Sequence, residues 1–213
     1  MRYIHKGTSP QLFEEWKGKK SEDWKPSWKD LRNPEKSILK EALLVDQGYT
    51  CCYCGVGINN DHNTEIEHIK PRCDCTEVEK IDYDNLLASC PGGRRDTNPR
   101  ELSCNAKRGN EPLNITPLSI DCDNKFLFTL DGQILTKEKE EEDYMDSIKK
   151  LGLNVERLIN RRSALLRPYN LLNKEQASQM INRLSSKHDE EGVLRYKEFY
   201  YVIISFLKSK FRI

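Results

Sequence analysis

Cys51-Cys52-Tyr53-Cys54, Glu67-His68-Ile69-Lys70-Pro71-Arg72, Asp84-Asn85-Leu86-Leu87, Cys90 and Cys104-Asn105-Ala106-Lys107-Arg108-Gly109 follow one another within residues 51–109. Two separated pairs of thiols bracket a carboxylate, an imidazole and two carboxamides. Thiolates suit a closed, structural zinc site. A carboxylate and an amide oxygen suit a hard, hydrated cation such as magnesium. The imidazole is left over as a base. This division of labour points to a small metal-dependent nuclease. Phosphodiester hydrolysis needs a group to deprotonate water, which neutral His68 supplies near pH 7. It also needs charge neutralised on the phosphate and on the leaving oxygen, which one divalent ion supplies.

Cys51-x-x-Cys54 has the spacing of a zinc knuckle, and Gly55 follows where the chain must turn tightly. Cys90 and Cys104 complete the expected four-thiol set, with a Pro-Gly-Gly-Arg-Arg insert between them. Cys52, Cys73 and Cys75 are rivals for these positions, although Cys73-Asp74-Cys75 lacks knuckle spacing. Cys122 reads as a buried thiol. All eight cysteines are read as thiols rather than disulfides, because the expected compartment is cytoplasmic. The opening Met1-Arg2-Tyr3-Ile4-His5-Lys6-Gly7 lacks the apolar segment of a secretory signal, and the apolar run at 200–207 is too short to span a membrane.

The chain carries 35 Lys and Arg against 34 Asp and Glu in 213 residues. This balance excludes a strongly basic protein that grips nucleic acid by bulk charge. Nucleic-acid contact must come from local clusters or a partner. The candidates are Arg94-Arg95, Arg100 and Lys107-Arg108; taken singly, each reads as a solvated surface residue. Arg161-Arg162 reads as surface charge or a helix-end contact.

Three regions are expected. Residues 1–34 form an arm with a short helix at 10–17, whose Trp16, Trp24 and Trp28 pack on the main body or stack on a partner. Residues 35–136 form the core. Its first helix is capped by Asn33, has Pro34 in its first turn, buries Ile38, Leu39, Ala42, Leu43 and Val45, and ends at Gly48. Asp131-Gly132 predicts a hairpin with a type I′ turn. Residues 137–213 form helices at about 138–150, 154–167, 173–187 and 193–210. The acidic run 138–143 reads as a solvated face. Tyr196, Phe199, Tyr200, Ile203 and Phe206 form a stripe on the last helix that either closes the core or docks a partner.

The order Cys-x-x-Cys, Glu-His-Ile-x-Pro, Asn-Leu, Cys, Cys-Asn-x-Lys-x-Gly resembles the HNH endonucleases. The resemblance implies an α+β protein: a ββα-metal HNH nuclease core with structural zinc, flanked by N-terminal and C-terminal helices. It implies His68 as general base, Glu67 and Asn105 as ligands of a catalytic Mg2+ or Mn2+, Asn85 as the residue holding the loop that orients His68, and Cys51, Cys54, Cys90 and Cys104 as ligands of structural Zn2+. Met1-Arg2-Tyr3-Ile4-x-Lys6-Gly7, Ser89-Cys90-Pro91-Gly92-Gly93 and Leu151-Gly152-Leu153-Asn154, followed by Leu158 and Arg161-Arg162, are similar to the PtuB-type HNH nucleases of Septu and retron anti-phage defence systems. This wider resemblance implies a PtuA-like SMC/ABC-type ATPase as partner. In retrons it also implies a reverse transcriptase with its RNA–DNA hybrid. The substrate is nucleic acid, by family default DNA, with an RNA such as tRNA as the alternative; no membrane is involved. The rival readings are a zinc-stabilised binding module without catalysis, which has no use for Glu67, His68, Asn85 and Asn105 together, and a stand-alone restriction-type nuclease.

Overall fold

The computed structural model describes residues 1–94, 98–137 and 142–213. The fold is mixed α+β, with eight α-helices and three two-stranded sheets among the described residues. Arg95 and the start of the acidic run at 138–141 lie outside the described residues.

The N-terminal segment packs against the body. Met1, Ile4, Phe13, Trp16 and Leu31 are buried, and Ile4 N–H donates to the Pro117 carbonyl at 2.7 Å. Helix α1 (Gln11–Gly18) stacks Phe13 on Trp16, with ring centroids 5.8 Å apart, and Trp24 meets Trp16 edge-on. Trp16 thus packs into the body, while Trp24 touches it edge-on and stays exposed.

Helix α2 (Glu35–Gln47) buries Leu39, Leu43 and Leu44, and Gly48 ends it with φ +61°. Two details differ from expectation. The cap position falls on Pro34 rather than Asn33 and makes no side-chain capping hydrogen bond, and Val45 is half exposed because Leu44 takes the inward position beside Leu43. At the end of α2, buried Gln47 bridges outward. Its amide donates to the carbonyls of Thr50 and Ala88, both at 2.8 Å, and accepts from Ala88 N–H at 2.6 Å. That side chain fixes α2 against the next sheet.

Strands β1 (Glu65–His68) and β2 (Leu86–Ser89) pair antiparallel, with Glu67 opposite Leu87 and His68 opposite Leu86. Leu86, Leu87 and Ala88 are completely buried. Helix α3 (Cys104–Arg108) follows, so two strands and a short helix succeed one another along the chain.

Helix α4 (Cys122–Lys125) leads into β3 (Phe126–Phe128), which pairs with β4 (Ile134–Thr136). The turn is wider than the expected two-residue type I′. Gly132 N–H donates to the Thr129 carbonyl, Thr129 N–H donates to the Gln133 carbonyl, and of the Asp-Gly pair only Gly132 has positive φ. A type I turn closed by a left-handed glycine accounts for it. A Cβ at Gly132 would also lie 2.1 Å from the Ile159 carbonyl.

Helices α5 (Glu142–Lys150), α6 (Glu156–Tyr169) and α7 (Lys174–Leu184) form the C-terminal region. Arg162 on α6 is not surface charge. It is 1 % exposed, donating to the carbonyls of Gly132 and Leu153 and to Asn154 Oδ1. The expected helix from 193 begins later. Residues 188–195 instead make a small hairpin of β5 (His188–Glu190) and β6 (Val193–Arg195). Helix α8 then runs Tyr200–Phe211. Phe199, Tyr200, Ile203 and Phe206 are all buried, so the aromatic stripe closes the protein's own core. No helix among the described residues is long and apolar enough to cross a membrane.

Candidate active site and metal centre

Cys51, Cys54, Cys90 and Cys104 converge. All are buried, and their four sulfurs lie within 4.8 Å of one another. Cys51 and Cys104 are 3.9 Å apart; Cys54–Cys90 and Cys90–Cys104 are each 3.7 Å. A tetrahedral zinc with bonds of about 2.3 Å requires sulfurs about 3.8 Å apart. The donor set and its spacing therefore fit a metal such as zinc. Burial opposes charge on Cys51, yet hydrogen bonds from Cys104, Cys52, Cys54 and Cys90 hold its pKa well below the usual thiol range. A bound dication would let all four ionise.

Local chain geometry delivers these ligands. Gly55, at φ +82°, turns the chain so that its N–H reaches the Cys51 carbonyl. Gly92, at φ +60°, lets the insert return: Ser103 N–H donates to the Gly92 carbonyl at 2.8 Å, and a Cβ there would sit 2.0 Å from the Ser103 carbonyl. Cys104 thus arrives at the first turn of α3. The rivals stay outside the cluster. Cys73 is exposed, Cys75 is hydrogen-bonded to Asn85 and Lys70, Cys122 is buried in the core, and Cys52 is a buried neighbour that bonds Cys51 but is not one of the four clustered thiols.

His68 ends β1. Its Nε2 lies 3.0 Å from the Lys80 carbonyl, which assigns the proton to Nε2. Nδ1 has no hydrogen-bond partner among the described residues. Asn85 braces the turn that carries Lys80, through the neighbouring Glu79 carbonyl. The Asn85 amide donates to the Glu79 carbonyl at 3.2 Å and accepts from Lys70 N–H at 2.8 Å, while its backbone carbonyl accepts from Ile69 N–H. The indole of Trp28 meets the His68 ring at 4.5 Å between centroids and 76° between planes. Burial lowers the His68 pKa, helped by the positive charges of Arg72, Arg108 and Lys80 and opposed by the Lys80 carbonyl. The ring is therefore neutral at pH 7.

Glu67 points into the core between β1 and α3. Its Oε1 accepts from Tyr53 Oη at 2.8 Å and from Arg108 Nη1 at 2.6 Å. Burial raises the pKa of Glu67, and the Arg108 charge pulls it back. Arg108 is 2 % exposed; it is no surface cation. It also donates to Tyr53 Oη and to the carbonyls of Glu111, His68 and Ile69. Asn105, one turn earlier on α3, donates through Nδ2 to Glu65 Oε2 at 2.7 Å. Glu65 and Glu67 share one face of β1 by strand alternation. Among the described residues no hydrogen bond falls on Glu67 Oε2 or Asn105 Oδ1, so each keeps one hard oxygen free. These two oxygens fit a divalent cation by chemistry. Tyr53 and Arg108 orient one donor and Glu65 the other, which is the role of an outer shell around a metal.

Sequence reasoning missed Tyr53, Glu65, Arg108 and Trp28. Signals existed for two of them: Glu65 is two residues from Glu67 on a strand, and Arg108 is three from Asn105 on a helix. Trp28 carried no local signal. Of the basic clusters, Arg94 lies 3.6 Å from Glu65, Arg100 and Lys107 are exposed, and Arg161 pairs with Glu198 at 2.8 Å.

No family model matches the chain. Two curated relatives do. The "Retron Ec83 putative HNH endonuclease" of Escherichia coli is 26 % identical over 225 residues, covering 86 % of each chain. The "Retron Vc95 putative HNH endonuclease" of Vibrio cholerae serotype O1 biovar El Tor is 30 % identical over 125 residues, covering 56 % of this chain and 58 % of the relative. These relatives support the HNH endonuclease family for this chain.

Proposed function

We propose that the protein is a metal-dependent HNH endonuclease that hydrolyses phosphodiester bonds of nucleic acid, DNA in the first instance, and that β1, β2 and α3 form its ββα-metal core. The observation that carries this reading is His68: a neutral imidazole at the end of β1, tied by Nε2 to the Lys80 carbonyl in a turn that Asn85 braces through the neighbouring Glu79 carbonyl, with no hydrogen bond on Nδ1 among the described residues. His68 Nδ1 takes a proton from water as the oxygen attacks phosphorus and the P–O bond to the leaving oxygen breaks. Glu67 and Asn105 would hold a magnesium or manganese ion, which would supply positive charge to the phosphate and the leaving oxygen. The four thiols would hold zinc, which would fix the insert and α3, and with them Asn105.

The retron names of both relatives support a retron context. We extend this to a PtuB-like effector working in the cytoplasm with a PtuA-like ATPase and, in a retron, with the reverse transcriptase and its RNA–DNA hybrid.

The test is purified chain, with and without its genomic neighbour, offered plasmid DNA and total RNA with magnesium. His68→Ala should lower cleavage by on the order of 10² to 10⁴ while zinc content and folding stay intact. Full activity in that variant refutes the assignment of the base. Activity that survives removal of magnesium and manganese refutes the cation.

A further inference from the structure

Trp28 lies forty residues before His68 in the chain, in the arm rather than the nuclease core. It is nonetheless the aromatic partner of the His68 ring. Its placement is built. Residues 27–30 form a turn closed by Asp30 N–H to the Ser27 carbonyl at 3.0 Å, and by Ser27 N–H and Oγ to Asp30 Oδ2 at 3.2 and 2.6 Å. Leu31, 1 % exposed, anchors the chain after the turn, and Trp24 on Trp16 anchors it before. Trp28 itself is only half buried, so it does not simply fill the core.

A single hydrogen bond at Nε2 leaves an imidazole free to swing about its side-chain torsions. A second contact, at a different part of the ring, removes that freedom. An edge-to-face aromatic pair favours one ring position by about two- to tenfold. We infer that Trp28 is a positioning residue for the general base, holding the His68 ring against the Lys80 carbonyl so that Nδ1 faces the attacking water. The arm is then part of the active site rather than an appendage. This inference rests on His68 being the base.

The test compares Trp28→Phe, Trp28→Leu and Trp28→Ala with the unaltered protein, each checked for zinc content and thermal unfolding. Two readouts separate positioning from packing. The first is steady-state cleavage of plasmid DNA with magnesium. Trp28→Ala and Trp28→Leu should lower kcat on the order of tenfold or more with KM within about twofold, since small misplacements of a reacting group are costly. Trp28→Phe should restore most of it. The second needs no activity. The His68 imidazole proton line, identified by its loss in His68→Gln, should move in Trp28→Leu while those of His5, His62 and His188 stay. A raised KM with unchanged kcat overturns the inference and assigns Trp28 to stacking on substrate. Equal kcat for the Leu and Phe variants overturns it in favour of packing. An unmoved His68 line overturns the ring contact itself. If the unaltered protein cleaves nothing, the proposed activity fails, while the resonance shift still decides whether Trp28 holds the ring.

Discussion

Residues 49–109 and residues 142–211 are held together by different physics. In the first region β1 and β2 have four residues each and α3 has five. Little regular structure joins them. Beside a small apolar part around Leu86 and Leu87, the interior carries polar groups: four thiols, the Glu67–Arg108 pair, Tyr53, and Gln47 reaching in from α2. In the second region the long helices α6 and α8 close on leucines, valine and aromatics, and Leu158, Leu166, Val202, Ile203 and Leu207 are completely buried. Arg162 is its one completely buried charge among the described residues. An apolar core tolerates rearrangement and gains stability from area. A polar core demands that each partner be present, and in return it places functional atoms in one arrangement. The site sits in the half built the second way.

The difference can be broken experimentally. The largest effect should come from the thiols. Structural zinc contributes about 10–16 kcal/mol in small domains, as much as the whole stability of many proteins. Cys90→Ser should therefore unfold residues 49–109 and leave α6 and α7 protected, as read by hydrogen exchange along the chain. Simultaneous loss of protection in both regions would show one cooperative unit and end the distinction.

Next in size is Arg108→Met. It leaves the buried Glu67 carboxylate without its partner, a loss of about 3–5 kcal/mol. Urea unfolding should show it, and adding Glu67→Gln in the same chain should recover part of it. A cost below about 1 kcal/mol would mean that the buried pair does not hold the region. Leu166→Ala on α6 should cost about 3 kcal/mol through the cavity it leaves. It should do so without releasing zinc, sharpening the contrast with Arg108. The smallest effect is expected at the start of α7. There Asn173 accepts from Gln176 N–H at 2.9 Å while the Gln176 side chain accepts from Asn173 N–H at 3.0 Å. Asn173→Ala should lower the thermal midpoint by the equivalent of about 1 kcal/mol.

What could be read early was chemistry carried by neighbours in the chain. The Cys51-x-x-Cys54 knuckle and its two distant partners were legible because thiols have few other uses in such a pattern, and the four sulfurs do meet. The first helix was legible from its spacing and from Gly48. The last helix was misplaced at its start, since Val193-Leu194-Arg195 matches helical spacing as well as strand alternation and only Glu191 and Gly192, both at positive φ, make it a hairpin. Arg108 and Arg162 looked like surface charge. A guanidinium is buried only where several acceptors converge on it, and those acceptors come from distant segments.

The sequence by itself determined the inventory: four thiols able to hold a metal such as zinc, further hard oxygens, an imidazole, and an aromatic stripe able to close a core. Only the tertiary structure decided how those groups are aimed. Glu67 turns one oxygen to Arg108 and keeps the other, Asn105 is turned by Glu65, and His68 is held between the Lys80 carbonyl and Trp28. The reason is range. A ligand's identity is local, but its orientation is set by hydrogen bonds and ring contacts to residues forty positions away, such as Arg108 to Ile69 and Trp28 to His68, which no periodicity in the chain records.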